Sequence, residues 1–103
     1  MRARIVCGEK KHPGGKLVKI CLRVINDRVK GVLLSGDFFA DPEDEAERLI
    51  ERLAGLEAGL EEVAGKVLRE FDRVSARIYG IDRSDVEEAL RRALASLSSE
   101  HGA

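Results

Sequence analysis

The stretch KLVKICLRVINDRVKGVLLSG, residues 16–36, decides the fold class of this 103-residue chain. In its first half every second position is apolar, which is the period of a strand with one buried face. The apolar positions are Val18, Ile20, Leu22 and Val24, and the residues between them are Lys19, Cys21 and Arg23. Asn26 and Asp27 then tolerate the geometry of a tight turn. The stretch therefore predicts a β-hairpin with strands near residues 16–25 and 29–35.

A weaker strand pattern precedes the hairpin. In RARIVCGE, residues 2–9, Ile5 and Cys7 fall on one side of an extended chain and Arg4 and Val6 on the other. The sequence thus predicts a sheet of about three strands. Because the hairpin carries charged residues on its second face, that face is predicted to be either solvated or an interface.

The region after residue 40 has the period of amphipathic helices. In FFADPEDEAERLIERLAG, residues 38–55, Asp41 is predicted as N-cap, Pro42 as the first helical residue and Gly55 as the end. The apolar face of this helix is predicted to hold Ala46, Leu49, Ile50 and Leu53.

Two more helices are predicted further along. The second lies near residues 56–74, where Gly59 and Gly65 weaken it, so that it is broken or starts late. RIYGID, residues 77–82, is predicted as a short extended link. Asp82 or Ser84 then caps a last helix, on which Glu87–Arg91 and Glu88–Arg92 are predicted as ion pairs.

Strands followed by helices predict an α+β fold. We expect a two-layer sandwich in which a small, mostly antiparallel sheet of about three strands packs against about three helices. The length predicts one domain, residues 1–103. No apolar run approaches the ~20 residues that span a bilayer, and no signal-peptide block opens the chain, so we expect a cytoplasmic protein.

The composition is that of a globular protein, with 44% hydrophobic and 36% charged residues. Gln and Thr are absent, which together with the dense opposite charges is a tendency of thermophiles. Cys7 and Cys21 lack CxxC spacing and are too few for a disulfide scaffold, so we predict buried, reduced thiols.

The net charge of −1 is unevenly distributed. Residues 1–30 hold nine basic and two acidic side chains, a net charge of +7, whereas residues 31–103 have a net charge of −8. The first part is predicted either to attract anions or to be neutralised by the second part in the fold.

Groups for catalysis are scarce. The only histidines are His12 and His101, and no nucleophile occupies a recognisable elbow. The acidic cluster Asp37, Asp41, Glu43 and Asp44 lacks the ligand spacing of a calcium loop, so helix capping and solvation are its simpler interpretation.

The loop KKHPGGKL, residues 10–17, fails the test for a phosphate-binding P-loop. Gly15 and Lys16 are followed by Leu17 instead of Ser or Thr, and the loop leads into a strand instead of a helix. Two interpretations remain: an ordinary β-turn, or a basic loop whose amides at Gly14 and Gly15 meet an anion beside Lys11 and Lys16. Nucleic-acid binding has little support, because none of the few aromatic residues is interleaved with basic ones.

Two separated motifs resemble one protein family. KHPGGKLVKI, residues 11–20, followed by GVLLSGDFFADPED, residues 31–44, is similar to the accessory domain of lipoate–protein ligases. YGIDRSDVEEAL, residues 79–90, also fits the G-[IV]-x-x-x-D-[VL]-x-x-A-[LI] pattern of that domain. A chain of this length resembles the form in which the domain is the separate small subunit of a bipartite ligase.

The resemblance implies that two subunits have different roles in one reaction. A catalytic large subunit would bind lipoate, ATP and Mg²⁺, and the small subunit would form a heterodimer with it. This chain would bind no cofactor and hold no catalytic residue of its own. It would be required to activate lipoate to lipoyl-AMP, less so for transfer to the acceptor proteins. No membrane and no nucleic acid are implied as partners.

The resemblance also implies roles for two groups of residues. The loop residues Lys11, Pro13, Gly14, Gly15 and Lys16 would lie toward the adenylate site of the large subunit. Gly36, Asp37, Phe38 and Phe39 would fix the turn from sheet to helix, with one Phe in the core or the subunit contact; simple core packing of both is the alternative. The alternative for the whole chain is an independent anion- or nucleic-acid-binding module.

Overall fold

A β-sheet with helices on one face forms the body of the protein, for which a computed structural model describes residues 3–11, 13–14 and 16–102. Within these residues, four strands form the main sheet in the order β1, β2, β3, β5. Their bounds are β1 Ala3–Lys11, β2 Leu17–Ile25, β3 Arg28–Gly36 and β5 Glu57–Gly59. A second sheet pairs β4, Phe39–Ala40, with β6, Ile78–Tyr79. The helices are α1 Asp44–Ala54, α2 Val63–Asp72 and α3 Arg83–Gly102, and a short 3₁₀ turn covers Ser75–Arg77.

The hairpin is confirmed. β2 and β3 pair antiparallel, and Asn26 and Asp27 form the turn with φ of 51° and 65°. Positive φ at both turn residues gives the turn a twist that matches the strands, which is why Asn and Asp suit this position. The alternation of β2 also holds: the four apolar residues predicted to face inward are buried, and the residues between them face away from the helices.

The three helices cover one face of the main sheet, so the two-layer α+β fold is confirmed. α3 packs on β1 and β2, α1 packs on β3, and α2 lies against both helices. The core between the layers contains Ile20, Leu22, Leu49, Leu53, Phe71 and Leu90, all nearly inaccessible to solvent. None of the described helices is both long enough and apolar enough to cross a membrane.

The main sheet has one strand more than expected. β5 pairs with the start of β3 and occupies the region where the second helix was expected to begin. α2 therefore starts late, at Val63, which agrees with the weakening expected from Gly59.

The predicted start of α1 is wrong. Asp41 and Pro42 precede the helix, the Asp41–Pro42 peptide is cis, and the helix begins at Asp44 with Glu43 in the N-cap position. The Asp41 N–H donates to the carbonyl oxygen of Arg77 (3.0 Å), so it remains attached to the small sheet instead of entering the helix. Ile50 is also misassigned, because it is 36% exposed, while Leu49 and Leu53 are buried as expected.

The prediction of reduced, buried cysteines is also wrong. Cys7 and Cys21 form a disulfide on the face of the sheet away from the helices, where both are half-buried. They are direct cross-strand partners of β1 and β2 with a Cα–Cα distance of 4.0 Å. Sequence spacing does not reveal this contact, because the register of the two strands creates it.

Candidate functional site

The loop between β1 and β2 projects from one end of the main sheet. Pro13 and Gly14 form an exposed turn, and Lys11 and Lys16 on either side of it are exposed as well. A Cβ added at Gly14 would meet no atom within 4 Å. Gly15, which is a predicted site residue, and His12 lie outside the described residues. The described part of the loop thus presents ammonium groups and backbone to solvent, as anion binding requires.

The base of the loop is attached to the end of β3. The Asp37 N–H donates to the carbonyl oxygen of Leu17 (2.8 Å), and the Leu17 N–H donates to the Asp37 carboxylate (3.2 Å). A Cβ at Gly36 would lie 2.2 Å from the carbonyl oxygen of Leu17 and 2.9 Å from Cα of Val18. Gly36 is therefore required for this close approach. We call the Gly36, Asp37 and Leu17 contact the loop clamp.

The third segment that carries the family resemblance, which begins with YGID, packs on the clamp. Gly80 has φ of 103°, and a Cβ there would lie 3.0 Å from the carbonyl oxygen of Asp37 and 3.4 Å from Cα of Phe38. The three segments that carry the family resemblance are thus in contact at the same end of the molecule. Neither period nor spacing could have indicated this, since the contacting residues Leu17, Asp37 and Gly80 are 20 and 43 positions apart in the sequence.

The start of α3 is connected to the beginning of the loop. Of the two predicted caps, Asp82 and Ser84, the structure selects Asp82. The Asp82 carboxylate accepts a hydrogen bond from the Asp85 N–H (3.1 Å), and the Asp85 carboxylate accepts one from the Asp82 N–H (3.0 Å). This reciprocal pair is a capping box. Asp85 is only 2% exposed, and the ammonium group of Lys10 lies 3.7 Å from its carboxylate.

Ion pairs between described residues connect the basic N-terminal part with the acidic remainder. Besides Lys10 and Asp85, Lys30 binds Glu57 (3.0 Å), and this hydrogen bond and charge lower the pKa of the Glu57 carboxyl. The charge asymmetry is thus neutralised in part within the fold, while Lys11 and Lys16 remain exposed.

The outer face of α3 also carries ion pairs. Glu88 binds both Arg91 and Arg92, and the hydrogen bond from Arg91 lowers the pKa of Glu88 most. The predicted Glu88–Arg92 pair is confirmed. Arg91 pairs with Glu88 instead of the predicted Glu87.

The two adjacent phenylalanines have different environments. Phe38 is partly buried and packs against the core. Phe39 is 58% exposed and stacks on Tyr79, which is 47% exposed, with ring centroids 5.3 Å apart and planes inclined by 21°. The alternative that both phenylalanines pack in the core is therefore wrong, because Phe39 is exposed. Tyr79 was missed as a candidate site residue, although it stands beside Gly80 in a segment that carries the resemblance.

The described residues at this end of the molecule include charged and aromatic side chains but no metal-ligand cluster. Among the described residues no group of three or more His, Cys, Asp or Glu side chains is arranged to hold a metal ion. Cys7 and Cys21 are joined to each other and offer no thiolate. In the acidic cluster, Asp37 belongs to the clamp and Asp44 binds Arg48 (3.1 Å). The described part of the site thus offers a basic loop, a clamp and an aromatic pair.

Comparisons with known proteins agree with the sequence motifs. No family model matches the chain. Lipoate-protein ligase A subunit 2 of Thermoplasma acidophilum is 32% identical over 75 residues, which cover 73% of this chain and 77% of the relative. One chain in the structure of a bi-partite lipoate protein ligase and its E2 lipoyl domain, also from Thermoplasma acidophilum, aligns with a TM-score of 0.63 at 25% identity, covering 87% of this chain and 98% of that one. The chain therefore belongs to the family of lipoate–protein ligase A subunit 2, the separate small subunit of a bipartite ligase.

Proposed function

We propose that this chain is the accessory subunit that a catalytic large subunit requires to activate lipoate with ATP, giving lipoyl-AMP for protein lipoylation. The observation that carries the proposal is the contact of the three resemblance segments at one end of a chain of this family. There they hold the base of an exposed basic loop against the end of the sheet. The large subunit binds lipoate, ATP and Mg²⁺ and forms a heterodimer with this chain.

The loop contributes charge and backbone donors to the partner's reaction. In activation, a lipoate carboxylate oxygen attacks the α-phosphorus of ATP, forming the acyl-phosphate bond of lipoyl-AMP and releasing pyrophosphate. Negative charge lies on the phosphate oxygens throughout, and positioned cations and N–H groups stabilise such charge. Lys11, Lys16 and the amides around Gly14 and Gly15 supply these groups, while Pro13 restricts the loop. Transfer of lipoyl from lipoyl-AMP to the acceptor lysine depends less on this chain, as the family resemblance implies.

The test is a two-subunit activation assay. The large subunit is incubated with lipoate and Mg-ATP, with and without this chain, and lipoyl-AMP is measured directly. We expect product only, or far more, in the mixture. Equal activation by the large subunit alone would remove the proposal.

Replacement of Lys16 tests the role of the loop. Because Lys16 is exposed, Lys16→Ala should change the free energy of unfolding by less than about 0.5 kcal/mol. Loss of one charge-stabilising donor should lower activation about a hundredfold, the lower end of what removal of one such donor costs. Arg69→Ala, which removes an exposed cation from the surface of α2, is the control and should leave activation unchanged.

Replacement of both Gly14 and Gly15 should likewise reduce activation more than stability. If activation and stability fall together in the double variant, the loop is only a turn.

The alternative of an independent anion- or nucleic-acid-binding module rests on the net charge of +7 in residues 1–30. It requires that this chain alone binds nucleic acid with an affinity that falls steeply with salt. A flat titration at low salt removes this alternative and leaves the ligase proposal unaffected.

A further inference from the structure

An aromatic pair on the surface has no role in the core. The chain has only four aromatic residues, and two of them, Phe39 and Tyr79, are about half exposed and stacked on each other. In a protein this small, burying these rings would have added to a modest core. Exposed aromatic side chains in contact with each other are typical of surfaces that are covered by a partner, where Tyr is among the residues that contribute most to binding.

Acidic residues lie on the Phe39 side of the pair. Beside Phe39 lies an open depression of about 570 Å³, lined also by Ala40, Asp41, Pro42 and Glu43. Asp41 and Glu43 are exposed, and Glu43 makes no capping hydrogen bond with its side chain. Ring faces beside carboxylates suit a Lys or Arg side chain, because the ring quadrupole and the carboxylates both attract the cation.

The aromatic pair is rigidly connected to the basic loop. Phe39 follows Asp37 of the loop clamp by two residues, and Tyr79 precedes Gly80, which packs on Asp37 and Phe38. The antiparallel pairing of β4 with β6 holds Phe39 opposite Tyr79. A protein that receives the loop therefore meets a surface whose position relative to the loop is fixed.

We propose that Phe39 and Tyr79 are the docking site for the catalytic large subunit, which places a Lys or Arg side chain on the rings beside Asp41 and Glu43. This inference rests on the proposed function, since it names the contact through which the accessory subunit is held. It goes further because it assigns binding of the partner to the aromatic pair and stabilisation of the phosphate charge to the basic loop.

A second exposed surface provides the competing location. On the uncovered face of the main sheet, Ile5 is 61% and Leu33 is 54% exposed, on either side of the Cys7–Cys21 disulfide. This face carries Lys19 and Arg23, so it would select an acidic partner surface. A partner that docks on the aromatic pair should therefore present a positive charge, whereas a partner that docks on the sheet should present negative charge.

The test measures the dissociation constant between this chain and the catalytic large subunit by calorimetry. Phe39→Ser with Tyr79→Ser should weaken binding by at least about thirtyfold, the loss expected for one residue that dominates an interface. Ile5→Ser with Leu33→Ser removes a similar exposed apolar pair from the other surface and should change the constant less than about threefold. Glu43→Lys, which leaves the rings and their packing intact, should also weaken binding.

Each result decides the question. Unchanged binding by the aromatic variant overturns the inference while the proposed function stands. Loss of binding in the Ile5 and Leu33 variant alone moves the contact to the sheet and also overturns it. If the aromatic variant proves unfolded, tighter or unchanged binding by Glu43→Lys overturns the cationic contact. No heat of binding with the unaltered chain contradicts the proposed function itself, and the docking site with it.

Discussion

Gly36 brings the end of β3 into contact with the base of the basic loop. Its φ of 148° lies where side chains are disfavoured, and the space that a Cβ would need is occupied by the backbone of Leu17 and Val18. From the sequence, SGDFF was expected to fix the turn from sheet to helix. The structure adds that the same residues hold the base of the loop. A pattern of apolar residues cannot report this contact, because backbone groups make it.

Gly36→Ala should therefore be far more costly than Gly14→Ala. We expect a loss of about 3 kcal/mol or more in the free energy of unfolding at Gly36, because conformational strain adds to a clash with backbone. Gly14 also has positive φ, but open space surrounds it, so strain alone should cost about 1–2 kcal/mol. Urea unfolding followed by circular dichroism measures both. Equal losses would show that the close approach to Leu17 contributes little.

Helix starts were predicted with uneven success for a physical reason. Asp82 and Asp41 have the same side chain and each precedes a helical pattern, yet only Asp82 is a cap. Asp41 is bound to Arg77 through a sheet whose strands have two residues each. Strands this short have no measurable period, and β5, with three residues, was missed for the same reason. Longer elements with a clear period, such as β2 and α3, were predicted correctly.

The two aspartates give a matched pair of variants. Asp82→Ala removes the acceptor for the Asp85 N–H and should destabilise the protein by about 1 kcal/mol, the usual cost of losing an N-cap. Asp41→Ala removes an exposed side chain that caps no helix and should cost less than about 0.5 kcal/mol. Thermal unfolding of the two variants compares them directly. A greater loss at Asp41 would contradict the assigned helix start.

At the scale of the whole molecule, the Cys7–Cys21 disulfide is the largest departure from the structure that the sequence predicts. The apolar period and the composition were enough to predict the α+β sandwich, because the two layers follow from which residues are buried. The Cys7–Cys21 contact, like the meeting of the loop, the clamp and Gly80, depends on strand register and on how distant segments pack. The number of domains and the roles of the loop residues stay predictions.

Removal of the disulfide should destabilise the folded chain. The bond closes a ring of 15 residues, and loss of a crosslink of this length costs about 3 kcal/mol in the chain-entropy account. The midpoint of urea unfolding should fall when a reductant is added. Cys7→Ser with Cys21→Ser is the control, because this variant should begin at the lower midpoint and not respond to reductant. An identical midpoint with and without reductant in the unaltered chain would contradict the expected contribution.

The loop clamp also sets a length. Lys11 ends β1 and Leu17 is held by Asp37, so only six Cα-to-Cα steps go out to the loop tip and back. Even fully extended, that chain covers about 20 Å, so its tip can lie no more than about 10 Å beyond the strand ends. Any phosphate that the backbone of this loop contacts in the partner must lie within that distance of the sheet. The clamp thus limits how far the partner's nucleotide can lie from this subunit.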